Sequence, residues 1–233
     1  MSISSTMAQK IILAKTAAPG LAAYLEDLGY EVEPFGPIDN VQEPLRYHPD
    51  MVFCRLNRNT VFRGDQTRLS PNYPGDIIYN ACSTGKFFIH NLKYTAPDLL
   101  AAADRLGLIK VNVSQGYSKC SICVVSENAV ITYDRGIART AQAAGIDVLE
   151  IEPGYVELPG YNTGFIGGAG GLVQGPGTKI GPAVSRTPHP ILVFNGDLSA
   201  HPDHRAIVDF AEEKGVEVKF FADWKLTDIG SII

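Results

Sequence analysis

The chain is poor in cysteine, in charge and in long apolar runs. Four cysteines (Cys54, Cys82, Cys120 and Cys123) among 233 residues are too few for a disulfide scaffold. Three of them sit inside apolar or helical-looking stretches, as free thiols of a reducing compartment do, so the cytoplasm is the expected location. Charged residues make up only 19% of the chain, and the 20 Lys and Arg are scattered under a net charge of −5. A nucleic-acid binder carries a basic stripe, so nucleic acid is not an expected partner. No apolar run approaches the roughly eighteen residues that span a bilayer, which excludes a membrane partner of that kind. Residues 1–9 lack the apolar core of a signal peptide and read as a disordered N-terminal segment. That leaves a single domain over residues 10–233, a size that one hydrophobic core can serve. Composition says nothing of oligomeric state.

What the chain does contain is a phrase written four times. An amphipathic helical pattern ends at a glycine and a β-rich segment follows at once: Leu21 to Gly29 then Val32, Leu99 to Gly107 then Val111, Ala138 to Gly145 then Val148, and Ile207 to Gly215 then Val218. Glycine fits the left-handed end of a helix because it has no Cβ to clash. The starts recur as well, with Thr16, Thr95 and Ser199 as hydroxyl cap candidates just ahead of Pro19, Pro97 and Pro202. Short strands precede the helices at Ile11–Ala14, Phe87–His90, Ala129–Thr132 and Ile191–Phe194.

Ahead of those strands come further ones of less usual composition: His48–Arg55, Lys119–Val125 and Thr163–Gly168. The segment Thr227–Ile233 reads as such a leading strand with no unit behind it, and the strand at Ile11 has no leader. Joining the two would complete a unit. The geometric expectation is therefore an α/β ring of pseudo-symmetric strand–strand–helix–strand units closed by the two termini, which leaves no sheet edge unpaired. An open α/β sheet with hairpins is the alternative. Residues 57–86, with a short helical stretch around Asp76 to Ala81, and the Gly/Pro-rich flap of residues 169–190 interrupt the pattern. Loops held on a rigid scaffold are where function concentrates.

Cys120 follows Lys119 at what reads as the opening of a strand, and a neighbouring cation lowers a thiol pKa towards the nucleophilic thiolate. The ordinary role of such a residue is a small core side chain. Cys123, three positions on, belongs to the other face and reads as core. His48 and Asp50 form a His-x-Asp pair on one side of a strand, one able to exchange a proton near neutrality and the other to hold a planar cation through two hydrogen bonds. Because His48 and Cys120 occupy corresponding places in consecutive units, ring geometry would bring them together. Asp228 is the acid that would orient His48 or bind substrate.

Other motifs are weaker. His201-Pro-Asp203 aligns with a helix start, where Pro and Asp serve the backbone, and a metal site from His201, Asp203 and His204 is the least favoured reading. No cofactor is expected. The glycines of Gly164-Phe-Ile-Gly-Gly168 match neither the phosphate-loop nor the dinucleotide pattern and suit a close backbone approach. Ser83-Thr-Gly-Lys86 completes no known motif, and Asp134 reads as a helix cap.

The phrases His48-Pro-Asp-Met51, Lys119-Cys-Ser121, Tyr133-Asp-Arg-Gly-Ile137, Pro159-Gly-Tyr161, Gly164-Phe-Ile-Gly-Gly168, Gly196-Asp-Leu198, His201-Pro-Asp203 and Asp228-Ile-Gly-Ser231 together resemble an uncharacterised bacterial family of the guanidino-group-modifying enzyme, or pentein, fold. The resemblance runs from about residue 10 onward. It implies a pentein-like β/α propeller. It also implies a hydrolase or transferase acting on a small guanidinium or amidine compound, with Cys120 as nucleophile, His48 as acid and base, and Asp50 as ligand of the guanidinium. Asp228, Lys119 and Phe165 complete the expected substrate site. Two departures stand out: four units are clear where that fold has five, and the cysteine is central where those enzymes usually carry it near the C-terminus. The same fold includes a non-catalytic branch, the ribosome-binding translation initiation factor six, so a binding module without chemistry is the alternative.

Overall fold

A computed structural model describes residues 9–175 and 188–233. The expected disordered segment therefore lies almost wholly outside the described residues, as does the middle of the expected flap. The elements in chain order are β1 (Lys10–Ala14), α1 (Pro19–Asp27), β2 (Glu31–Phe35), β3 (Phe53–Asn57), β4 (Thr60–Arg63), β5 (Cys82–Ser83), β6 (Phe87–His90), α2 (Pro97–Arg105) and β7 (Ile109–Asn112). They continue with α3 (Ser118–Ser121), β8 (Cys123–Ser126), β9 (Ala129–Thr132), α4 (Arg135–Ala143), β10 (Asp147–Glu150), β11 (Gly170–Gln174), β12 (Pro190–Phe194), α5 (His204–Glu213) and β13 (Glu217–Lys219).

The four glycines after α1, α2, α4 and α5 all have positive φ, between +67° at Gly107 and +93° at Gly29. Each releases the chain into a strand parallel to the one before the helix, the connection that a parallel pair requires. Three sheets share one construction, β5-β6-β7, β8-β9-β10 and β11-β12-β13, with an antiparallel first pair and a parallel second pair. A parallel pair β1-β2 and an antiparallel hairpin β3-β4 make up the rest.

The expected pentein-like propeller closed by the two termini is not what is found. The strands form five separate sheets of two or three strands, with no closed barrel or propeller among the described residues. The reason lies in the segments that read as leading strands. His48 stands between two 3-10 turns, the second of which begins at Pro49, a residue that cannot donate to a ladder. The glycine-rich Thr163–Gly168 is turn and loop, and the final residues are irregular. Ile12 of β1 and Ile233 do exchange two backbone hydrogen bonds, at 2.6 and 3.2 Å, but the final residues form no strand.

The helix starts also differ from expectation. Ala18 and Ala96, not the hydroxyl residues, occupy the cap positions of α1 and α2, with Pro19 and Pro97 in the first turn. The orphan N–H of Ala18 is taken by Asn195 Oδ1 at 2.8 Å. α5 begins at His204, and Ser199 lies in a preceding 3-10 turn. Asp134 caps α4, accepting from Gly136 and Ile137. The packing core is made by strands buried along their whole length, such as β6 and β9, against small helix faces such as Ala138 and Ala141 of α4. Full burial of a side chain such as Leu99 is worth about 2 kcal/mol.

Candidate functional site

Five stretches of chain converge on one buried point: 48–50, 80, 119–120, 164–168 and 228–231. Backbone hydrogen bonds lock them to one another. Asp50 N–H donates to Gly230 O at 3.2 Å, Gly168 N–H to Cys120 O at 2.8 Å, and Ser231 N–H to Gly168 O at 2.8 Å. The approach is close enough to demand glycine. A Cβ on Gly168 would lie 2.0 Å from Asp228 Oδ1, and one on Gly230 would lie 2.3 Å from His48 Cβ. This accounts for the glycine pattern that matched no phosphate loop.

The local structure that presents the side chains is not the one expected. His48 and Asp50 belong to the 3-10 turn around Pro49, not to one face of a strand. Cys120 lies within the single helical turn α3, not at the start of β8. The side chains nonetheless meet. The Cys120 thiol is 3.0 Å from Asp50 Oδ2, and the donor atoms of His48, Asp50 and Cys120 all lie within 4.8 Å of one another. His48 Nδ1 is 3.7 Å from Asp228 Oδ1, beyond hydrogen-bond reach. Asp228 is held by the N–H groups of Gly230 and Phe165, each at 3.0 Å.

Two side chains escaped the sequence reading. Asn80 donates to Cys120 Sγ at 3.3 Å and to Asp50 O at 3.2 Å, while its Oδ1 accepts from the N–H of Lys119 and of Cys120. It comes from the insertion where a short helix was expected, a stretch that is irregular instead. Ser231 places its hydroxyl 2.8 Å from Asp50 Oδ2 and 2.9 Å from Gly167 O. Its φ of 72° makes it a non-glycine residue in the left-handed region, a strained position of the kind that gathers at functional sites. Its place in the Asp228-Ile-Gly-Ser231 phrase was the available signal.

Electrostatically the site holds more acid than base. Burial pulls the His48 imidazole down, against the pull of Asp50, so the ring is neutral near pH 7. Burial pushes Asp50 up, with Asp228 adding to the effect and His48, the Cys120 thiol and Lys119 opposing it. Asp228 is raised to about 6 by burial, against the two N–H groups that favour its charge. The Cys120 thiol is pushed well up, first by burial and then by the two carboxylates. Asp50 Oδ1 and His48 Nδ1 are buried with no hydrogen-bond partner. Unsatisfied buried groups of this kind are rare and call for a reason.

Lys119 is half-buried and donates from Nζ to Gly167 O at 3.1 Å; it forms no ion pair with Asp50 or Asp228, although its charge favours the ionised form of both. Phe165 contributes its N–H to Asp228, and its ring stacks between Tyr117 and Tyr133, at 6.3 and 5.7 Å between centroids. His201 and His204 do not join a metal cluster. His201 Nδ1 accepts from Asp203 N–H, and Asp203 Oδ2 accepts from Glu152 N–H. Among the described residues, the group that could hold a metal ion is His48, Asp50 and Cys120 itself. Cys123 is core, as expected.

The fold and the site together define an α/β protein with a thiol, an imidazole and two carboxylates gathered in its interior. The chain belongs to a family of unknown function, DUF6873, whose match covers residues 62–233 and so includes Cys120 and Asp228 but begins beyond His48 and Asp50. No curated protein and no solved structure matches it. No helix among the described residues is long and apolar enough to cross a membrane.

Proposed function

We propose that the protein is a cysteine-dependent hydrolase or transferase acting on a small guanidinium or amidine compound, in a reducing compartment such as the cytoplasm. One observation carries the reading: two buried carboxylates flank a thiol with no cation bonded to either. A buried acid pair of this kind is stabilised by a ligand cation, and a planar guanidinium matches a carboxylate through two hydrogen bonds. The free oxygen Asp50 Oδ1 is an acceptor for one of them. The likeness of the motif phrases to guanidino-group-modifying enzymes supports the same chemistry, and four buried free thiols suit the compartment.

In this reading the cation lowers the thiol pKa on arrival, and Cys120 passes its proton to neutral His48. The thiolate adds to the guanidinium carbon, forming a C–S bond while the C–N π pair moves to nitrogen. Collapse expels an amine that takes the proton back from His48 and leaves a covalent thiouronium. Water, or an acceptor amine, then gives a proton to His48 and adds to the same carbon, and the C–S bond breaks to return the thiolate. Asp50 and Asp228 hold the cation throughout, and Asn80 steadies the sulfur.

A second reading, a binding module without chemistry, is favoured by the depth of the thiol, which is 1% exposed. Labelling separates the two. A cationic haloacetamidine should modify Cys120 faster than neutral iodoacetamide does, with mass mapping to that residue, and arginine-like compounds should release ammonia or urea. An unmodified Cys120 beside other labelled thiols, or turnover unaffected by Cys120→Ala, would rule out the catalytic reading.

A further inference from the structure

A cavity of about 1050 Å³ lies beside the cluster just described. None of His48, Asp50, Cys120 or Asp228 lines it, and Lys119 is the one member of the expected site that does. Its walls come from β1, β3, β4, β5, β8 and β11, so it sits where the separate sheets face one another. The protein as a whole is acidic, yet the charged side chains on this wall run the other way. Lys10, Arg55, Arg58 and Lys119 are cationic and Glu127 alone is anionic.

Arg55 is the informative one. It is half-buried on β3 and forms no ion pair; its guanidinium makes one long hydrogen bond, from Nη1 to Arg58 O at 3.4 Å. Lys10 by contrast is paired with Glu33 at 2.5 Å. Burial pulls the Arg55 pKa down, so the folded chain pays for that charge without a counter-ion. A guanidinium fork matches carboxylate or phosphate oxygens bidentately, and Lys119 Nζ, which spends one donor on Gly167, has others free.

We infer that this cavity is a binding site for a small anion, a carboxylate- or phosphate-bearing molecule gripped by the Arg55 guanidinium with Lys119 in support. The site is separate from the thiol cluster and stands whether or not that cluster is catalytic.

Calorimetric titration of the full chain with inorganic phosphate, and separately with succinate, tests this. The expected result is saturable binding of at least one of them, weakened about tenfold or more in Arg55→Gln and unchanged in Cys120→Ser. Which probe binds tells phosphate from carboxylate. Arg55→Lys keeps the charge but loses the fork, so it should bind with intermediate affinity while its circular dichroism matches the parent, and it stands in if Arg55→Gln does not fold. No saturable binding of either probe overturns the inference, as does equal affinity in parent and Arg55 variants.

Discussion

The thiol of Cys120 lies 3.0 Å from Oδ2 of Asp50, a residue 70 positions earlier in the chain, and both are buried. A carboxylate so placed disfavours the thiolate in the empty protein and welcomes a cation beside it. Asp50→Asn removes that acceptor charge. On a guanidinium substrate it is expected to lower kcat/KM about a hundredfold, while Cys120→Ala abolishes turnover. Steady-state ammonia release measures both.

Asn80 is expected to matter to the thiol as much as any acid does. Asn80→Ala removes the donor to Cys120 Sγ and leaves the Cys120 N–H without its Oδ1 acceptor, while the Lys119 N–H keeps the carbonyl of residue 80. The loss is about 2–3 kcal/mol in urea unfolding, the usual cost of stranding buried polar groups. Asn80→Asp, which keeps the acceptor but adds a third acid beside Asp50, should be no better.

The pH dependence of stability has a definite sign. Asp228, raised from 3.8 to about 6, holds its proton in the folded protein where the unfolded chain has released it. Its contribution is present below about pH 4 and is lost as pH rises through about 6, with Asp50 acting in the same direction. The change is roughly 3 kcal/mol at most. Unfolding free energies across that window should therefore fall in the parent relative to Asp228→Asn. Parallel curves for the two proteins would refute the assignment.

Two glycines of different kinds should respond differently to alanine. Gly145 has φ +86° and open space around it, so Gly145→Ala should cost about 1 kcal/mol of backbone strain. Gly168 would drive a Cβ into the Asp228 carboxylate, and Gly168→Ala should cost more than about 3 kcal/mol or prevent folding. Chemical denaturation of the pair compares them directly.

Much of this arrangement was legible in the sequence, for identifiable reasons. A helix that ends at glycine leaves a periodic signal, so α1, α2, α4 and α5 could be read from local pattern, and Asp134 from capping chemistry. His48 and Cys120 were expected to meet because they read as corresponding places in consecutive units of a ring. The side chains do lie together, but on a turn and a helical turn and without the closed ring that this reasoning assumed. What could not be read was the backbone carrying them. Pro49 turns the chain where an apolar run suggested a strand, and the glycine-rich Thr163–Gly168 is turn and loop ahead of β11. Asn80 and Ser231 act through contacts 40 and 181 residues distant, and no local pattern marks such a partner.

That the sheets are separate has a practical consequence. Among the described residues no continuous ladder binds one to the next, so their cohesion rests on side-chain packing and on scattered backbone contacts. Three of them carry a sequestered sulfhydryl each, Cys54 on β3, Cys82 on β5 and Cys123 on β8. Pulsed alkylation in mild denaturant would read those sulfhydryls one by one, and so show whether the protein comes apart as a whole or sheet by sheet.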